Sequence, residues 1–300
     1  MIVCFDIGGT AIKGAAAFSP QDIRPFPRQP TPAMDFDRFV AVMADTIAQA
    51  PERPTCVALS LTGIIDPDTE LAVVANIPCI HGRPLKADLE AALGLPVLIA
   101  NDADCFVLAE ATLGVGRGHR VVFGVILGTG VGGGLVINGH LINSDGGFAG
   151  EWGHAPIAAT EAGTPVARLP RFQCGCGQVG CIDATCSARG MEKIHLHLNQ
   201  VKASSEDIVE AWQRGEPAAA HTISVFLDII ADPLALVVNT TGATIVPVGG
   251  GLSNAPSLIS AIDLAVRSRI LRKFSRPLIV PAECQIEPGL IGAAILGLTY

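Results

Sequence analysis

Three times along this chain a β-type run stops in a glycine-rich turn: DIGGT at 6–10, LGTGVGGG at 127–134 and VGGGLS at 248–253. The first two are each followed by a second apolar run, Ile12–Phe18 and Leu135–Ile137. Strand, Gly/Thr turn, strand, met twice, predicts two related halves. GVGRG at Gly114–Gly118 is the expected boundary. Glycine in such turns lets backbone N–H groups approach an anion with no Cβ in the way. Thr10 and Thr129 add hydroxyl donors. Taken singly, each turn also fits a tight hairpin. None matches GxxxxGK[ST], and none opens a helix as GxGxxG, so neither the P-loop nor the Rossmann reading applies.

Hydrophobic residues make up 49% of the chain and charged residues 16%, enough apolar material for a packed core. Many glycines and few aromatics favour close-packed α/β layers. The net charge of −8, with no Lys/Arg block, argues against a nucleic-acid partner. An anionic substrate must then be met by local donors or a metal ion. The start, MIVCFDIGGT, lacks a basic n-region, and no unbroken apolar run reaches about 18 residues. Neither a signal peptide nor a membrane partner is expected. Six of the nine cysteines are scattered singly, which fits reduced thiols in the cytoplasm.

The coarse pattern alternates strands and helices. Phe36, Phe39, Val40, Met43 and Ile47 have helical spacing, and Thr55–Leu61 reads as a strand. Pro96–Ala100 is a short strand ending in Asn101-Asp102, where a helix begins. Ala218–Val238 reads as a long apolar helix interrupted near Pro233, and Gly289–Leu298 as the last helix. Asp102, at the C-terminal edge of a strand, suits a general base as well as a helix N-cap. Asp104 suits a first-turn acid facing the helix dipole.

CGCGQVGC holds Cys174, Cys176 and Cys181. Three thiols are one ligand short of a closed tetrahedral zinc site. His154 upstream and His195 and His197 downstream compete for the fourth place. The last two fall on opposite sides of a predicted helix and are expected at the surface. No HExxH is present to suggest a zinc hydrolase.

DIGGT, IANDAD, ILGTGVGGG, GEWGH, CGCGQVGC and VGGGLS follow one another at spacings that resemble the ROK family of sugar kinases, over essentially the whole chain. The resemblance implies an α/β, two-domain actin-like ATPase fold of the ribonuclease H-like type, with a zinc-binding loop. The domains would span 1–117 plus 289–300, and 118–288. ATP and sugar would meet in a cleft. Asp6 would sit near Mg²⁺ through water. Gly8, Gly9 and Thr10, and separately Gly128, Thr129 and Gly130, would meet the ATP phosphates, and Gly249, Gly250 and Gly251 the adenosine. Many relatives carry Lys directly after GGT. Here Ala11 stands there, and Lys13 is the nearest base.

The resemblance further makes Asp102 the base for in-line transfer to a sugar 6-hydroxyl. Asn76, Asn101, Glu151 and His154 would surround the sugar, with Thr62 and Gly63 as a backbone wall near its 2-substituent. His154 would complete a structural Cys₃His zinc site and turn its other ring nitrogen toward the sugar. Relatives place Glu two residues after the last cysteine, where it helps bind the sugar. Here it is Asp183, one methylene shorter. Trp152 is expected to pack. ANIPCIHGRPLKADLE at 75–90 and GGGLSN point to members acting on N-acetylglucosamine, with glucose, fructose and N-acetylmannosamine as alternatives. A homodimer is implied. Family repressors add an N-terminal helix-turn-helix, for which the position of Asp6 leaves no room.

Overall fold

A computed structural model describes residues 1–144 and 146–300. The chain divides into two compact units. The first comprises Met1–Arg117, Leu135–Ala149 and Cys284–Tyr300, and the second Gly118–Gly134 and Gly150–Glu283. Relative to the boundaries expected from the sequence, Leu135–Ala149 and the residues from Cys284 on go with the first unit.

The first unit opens with β1 (Ile2–Ile7), β2 (Ala11–Ser19), β3 (Asp22–Pro25) and β4 (Gln29–Pro30). Helix α1 (Phe36–Ile47) follows, capped by Asp35, whose side chain accepts the Arg38 N–H. It buries Phe39 and Met43, as its spacing predicts. Then come β5 (Val57–Leu61), a hairpin of β6 (Ile64–Ile65) and β7 (Ala72–Val73), α2 (Leu85–Leu93), β8 (Val97–Asn101) and α3 (Asp102–Thr112). The sheet order is β3-β2-β1-β5-β8, with β4 on β2. β1 is antiparallel to β2, while β5 runs parallel to both β1 and β8. Asp6 thus pairs with Ser60, and Leu61 with Asn101, so three strand ends lie side by side. The sheet and α1 close over Phe5, Ile7, Phe39, Met43, Leu59 and Leu61.

The second unit begins with β9 (Val121–Leu127) and the first half of β10 (Val131–Ile137). The far half of β10 pairs with β11 (His140–Leu141) inside the first unit, Val136 opposite Leu141. The hairpin β12 (Glu161–Ala162) and β13 (Ala167–Arg168) precedes α4 (Ile182–Cys186), α5 (Ala188–Asn199), α6 (Ser205–Gln213) and α7 (Pro217–Thr241). After β14 (Val246–Gly249), α8 (Pro256–Arg267) and β15 (Ile279–Pro281), the chain returns to the first unit as α9 (Pro288–Leu298). β9, β14 and β15 are parallel neighbours. VGGG does not lead straight into an α-helix: a 3-10 turn at Gly251–Asn254 stands before α8.

Two expectations are corrected. Helix α7 runs unbroken through Pro233, which is buried. Packing of α7 on α4, α5, α6 and α8 outweighs the lost N–H. Among the described residues α7 is long and apolar enough to cross a membrane, and 61% of that window is buried. His195 is not a surface residue. It lies on the buried face of α5, 7% exposed, with Nδ1 2.9 Å from the Thr222 hydroxyl. Asp104 lies in the first turn of α3, as expected. It is buried and accepts from Asn143 Nδ2 at 3.0 Å, and Asn143 in turn holds Ala149. Through Asn143, that carboxylate anchors the Ala149 end of the Leu135–Ala149 excursion.

Glu110, in the last turn of α3, is fully buried. Its Oε2 accepts the Val115 N–H at 3.1 Å and its Oε1 the Cys284 N–H at 2.6 Å. One carboxylate therefore fastens both the stretch leading out to residue 118 and the stretch arriving from residue 283.

Candidate functional site

In the first unit the candidate residues gather at the sheet edge where β1, β5 and β8 end. Asp6 Oδ1 accepts from Ser60 Oγ at 3.0 Å. Lys13, opposite Asp6 on β2, reaches Asp6 Oδ2 at 3.4 Å and Glu287 Oε2 at 2.6 Å. Partial burial pulls the Lys13 ammonium down, but Glu287 and Asp6 more than offset it and its pKa is raised. Glu287 holds a left-handed backbone, φ 50°, at the N-cap of α9. Gly8 N–H donates to the Ala11 carbonyl, and Thr31 Oγ1 donates to the Gly8 carbonyl. Gly9 lies against Asn76: a Cβ there would stand 3.1 Å from the asparagine Cβ. Thr10 is exposed beside them.

The neighbouring strand ends carry Thr62, Gly63, Asn101 and Asp102. Gly63 has φ 153°, and a Cβ would strike the Val73 carbonyl at 2.6 Å, so glycine is required. Asn101 Nδ2 donates to the Gly63 carbonyl at 2.9 Å, and its Oδ1 accepts the Ala103 N–H at 2.8 Å. Asn101 is thus the N-cap of α3. Asp102 is the first helical residue, half-buried, with Oδ1 also within 2.9 Å of the Ala103 N–H.

In the second unit two of the three glycine turns lie against each other. A Cβ on Gly128 would meet Gly250 Cα and Gly251 N at 3.8 Å. Gly249 ends β14 just before them. Gly128 N–H donates to the Gly130 carbonyl, and the Gly128 carbonyl accepts the Ala188 N–H at 2.8 Å. Thr129 sits at the exposed tip. Trp152 Nε1 donates to the Gly132 carbonyl at 3.0 Å, and its ring meets Phe123 edge-on, so it packs.

His154, Cys174, Cys176 and Cys181 come together with all four ligand atoms within 4.8 Å of one another. His154 Nδ1 is 3.6 Å from Cys174 Sγ, and Cys176 Sγ is 3.7 Å from Cys181 Sγ. All three thiols are free. The Gln178 backbone N–H pulls Cys176 down to about 7, while burial pushes Cys181 up to about 12. Three crowded sulfurs cannot all carry charge unaided. A divalent cation at their centre would let them, and S₃N is a donor set that zinc takes as a closed tetrahedron. His154 Nε2 lies 3.8 Å from Glu151 Oε2, so the ring nitrogen away from the thiols faces a carboxylate. Asp183, in the first turn of α4, accepts the Val131 N–H with Oδ1 at 2.7 Å and has Oδ2 3.5 Å from Cys174 Sγ.

Sequence reasoning missed Ser60, Glu287, Asn143 and Glu110. Ser60 had a signal, a lone hydroxyl inside the apolar strand VALSL. Glu287 had none, because its partner Lys13 is 274 residues away.

Comparison with known proteins identifies the family. The ROK family model matches residues 2–299. An N-acetyl-D-glucosamine kinase of Pectobacterium atrosepticum is 35% identical over 98% of both chains. An N-acetylgalactosamine kinase of Shewanella is 34% identical over 97% of this chain and 95% of its own. The crystal structure of a ROK family glucokinase from Streptomyces griseus, in complex with glucose and AMPPNP, superposes with a TM-score of 0.71. It covers 100% of this chain and 99% of its own at 26% identity. With the strand-end carboxylates, the glycine turns and the Cys/His cluster all in place, the chain belongs to the ROK family.

Proposed function

We propose that this chain phosphorylates the 6-hydroxyl of N-acetyl-D-glucosamine at the expense of ATP. The chain is a sugar kinase, as are its relatives of known activity. The observation that carries the mechanism is the division of labour at the start of α3. Asn101 takes the N-cap, which leaves Asp102 half-exposed at the first helical position with its carboxylate at a strand's C-terminal edge.

Asp102 accepts the proton of the sugar 6-hydroxyl as O6 attacks the γ-phosphorus in line. The O6–P bond forms while the bond from phosphorus to the ADP oxygen breaks. Gly9 and Thr10 present backbone donors to phosphate, and so do Thr129 and Gly130, while Gly8 and Gly128 close the two turns through their N–H bonds to the Ala11 and Gly130 carbonyls. Lys13 adds a positive charge beside Asp6. Asp6 would hold Mg²⁺ through water, and the bound ion supplies neutralisation of phosphate charge. Gly249, Gly250 and Gly251 present a surface without side chains to the adenosine. AMPPNP on the Streptomyces griseus glucokinase supports ATP as donor.

Thr62, Gly63, Asn76, Asn101, Glu151 and His154 are the sugar contacts in this reading. His154, Cys174, Cys176 and Cys181 would hold Zn²⁺, which supplies a structural cross-link. We place the enzyme in the cytoplasm, where its nine free thiols stay reduced, and as a homodimer, to be checked by light scattering. A coupled assay over hexoses and N-acetylhexosamines tests the substrate. N-acetylglucosamine should give the highest kcat/KM. A higher value for N-acetylgalactosamine, the substrate named for the Shewanella relative, would replace it.

A further inference from the structure

Asp183 stands where a sugar contact was expected, yet its Oδ1 is taken by the Val131 N–H and its Oδ2 lies beside Cys174 Sγ. We infer that Asp183 is a positioning residue for the Gly128–Gly130 turn, and that through it the cysteine cluster sets how that turn receives a nucleotide. The inference rests on the nucleotide reading of the turn given above.

The turn is gripped on both sides within the second unit. At one end the Gly128 carbonyl accepts the Ala188 N–H at the start of α5. At the other the Val131 N–H donates to Asp183 Oδ1 at 2.7 Å. Gly130 is shaped to that carboxylate, since a Cβ on it would lie 2.6 Å from Asp183 Oδ1. Asp183 in turn has little freedom. It follows Cys181, the N-cap of α4, by two residues, and its Oδ2 is 3.5 Å from Cys174 Sγ. Cys181 and Cys174 are both buried members of the cluster. Whatever fixes the cluster fixes the first turn of α4, and so fixes the carboxylate that holds Val131. A carboxylate committed to the Val131 N–H through Oδ1, with Oδ2 turned toward the Cys174 sulfur, is poorly placed to serve as a sugar acceptor.

Side-chain length is part of the fit. Glutamate at 183 would carry its carboxylate about 1.5 Å further out. It would then either push the turn or release the Val131 N–H. Aspartate, with the shorter reach, closes the contact at 2.7 Å.

The test uses the full-length zinc-loaded protein and three variants at this position, D183N, D183A and D183E. The readouts are the Kd for AMPPNP by calorimetry, the sugar KM and the zinc content. D183N keeps an Oδ1 acceptor for Val131, and its AMPPNP Kd should stay within about twofold of the parent. D183A and D183E should weaken AMPPNP by about 5- to 10-fold with the sugar KM little changed and zinc retained. A raised sugar KM in D183A with an unchanged nucleotide Kd would overturn the inference and make Asp183 a sugar ligand. D183N behaving like D183A, or zinc lost from D183A, would also overturn it, because the Val131 contact would not be the cause. T129A, which leaves the Asp183 contact in place, separates the two levels. If T129A weakens AMPPNP while D183A does not, the turn binds nucleotide and the positioning role fails. If neither weakens it, the nucleotide reading of the turn itself fails.

Discussion

Asn101 Nδ2 donates to the Gly63 carbonyl at 2.9 Å, which ties the end of β8 to the turn after β5. The same side chain caps α3. One residue therefore sets both the backbone wall at Gly63 and the helix start that presents Asp102. N101D should keep the cap but lose the donor to Gly63, while N101A loses both. Thermal denaturation should show N101A destabilised by about 1 kcal/mol and N101D less. The sugar KM should rise in both.

Removing the charge of Asp102 without changing its shape isolates proton transfer. D102N should lower kcat by about 10²- to 10⁴-fold with sugar affinity retained. Single-turnover kinetics alongside sugar calorimetry would show the split. Near-normal turnover would reject Asp102 as the base.

The cluster of His154 with three thiols predicts one zinc per chain by elemental analysis. C181S should lose the metal, because Cys181 is fully buried and supplies one of the three thiols of the cluster. Both the melting temperature and sugar affinity should fall, the latter through loss of the His154 ring orientation. Folded, metal-free protein with unchanged sugar affinity would separate the cluster from the sugar.

Glu110 is fully buried and accepts two backbone N–H groups. E110A leaves both donors without their carboxylate, at about 1–3 kcal/mol for each buried group. Urea denaturation should show a large loss for E110A and a smaller one for E110Q, which keeps one acceptor oxygen. Hydrogen exchange should quicken locally at Val115 and Cys284.

His195 gives a pH dependence. Burial lowers its pKa below the ordinary 6.5, so folding favours the neutral ring. A group with a depressed folded pKa contributes stability that is present above the unfolded value and lost as pH falls toward the folded one. The parent should therefore lose melting temperature as pH drops below about 6.5 more steeply than H195Q, which cannot be protonated there. Parallel curves for the two proteins would show that His195 does not titrate with folding.

Most of the local architecture was legible in the chain because it depends on short-range causes. Glycine turns after β-branched runs and the spacing of Phe36, Phe39 and Met43 are each decided within a few residues. The Cys-Gly spacing of 174–181 was likewise a local signal, and it named three of the four cluster members before any fold was known. Residue spacing alone left the fourth ligand open among three histidines, and the family resemblance implied His154; the structure turns His195 inward to Thr222 instead. Asp104 finds Asn143, Glu110 finds Cys284 and Lys13 finds Glu287 only once the sheet and helices are assembled. Pro233 reads as a break until the helices packed around α7 show what keeps it continuous. A buried charge or hydroxyl must find a partner wherever the fold supplies one. Local propensity therefore determined which elements this protein makes, and tertiary packing decided which polar groups they bring together.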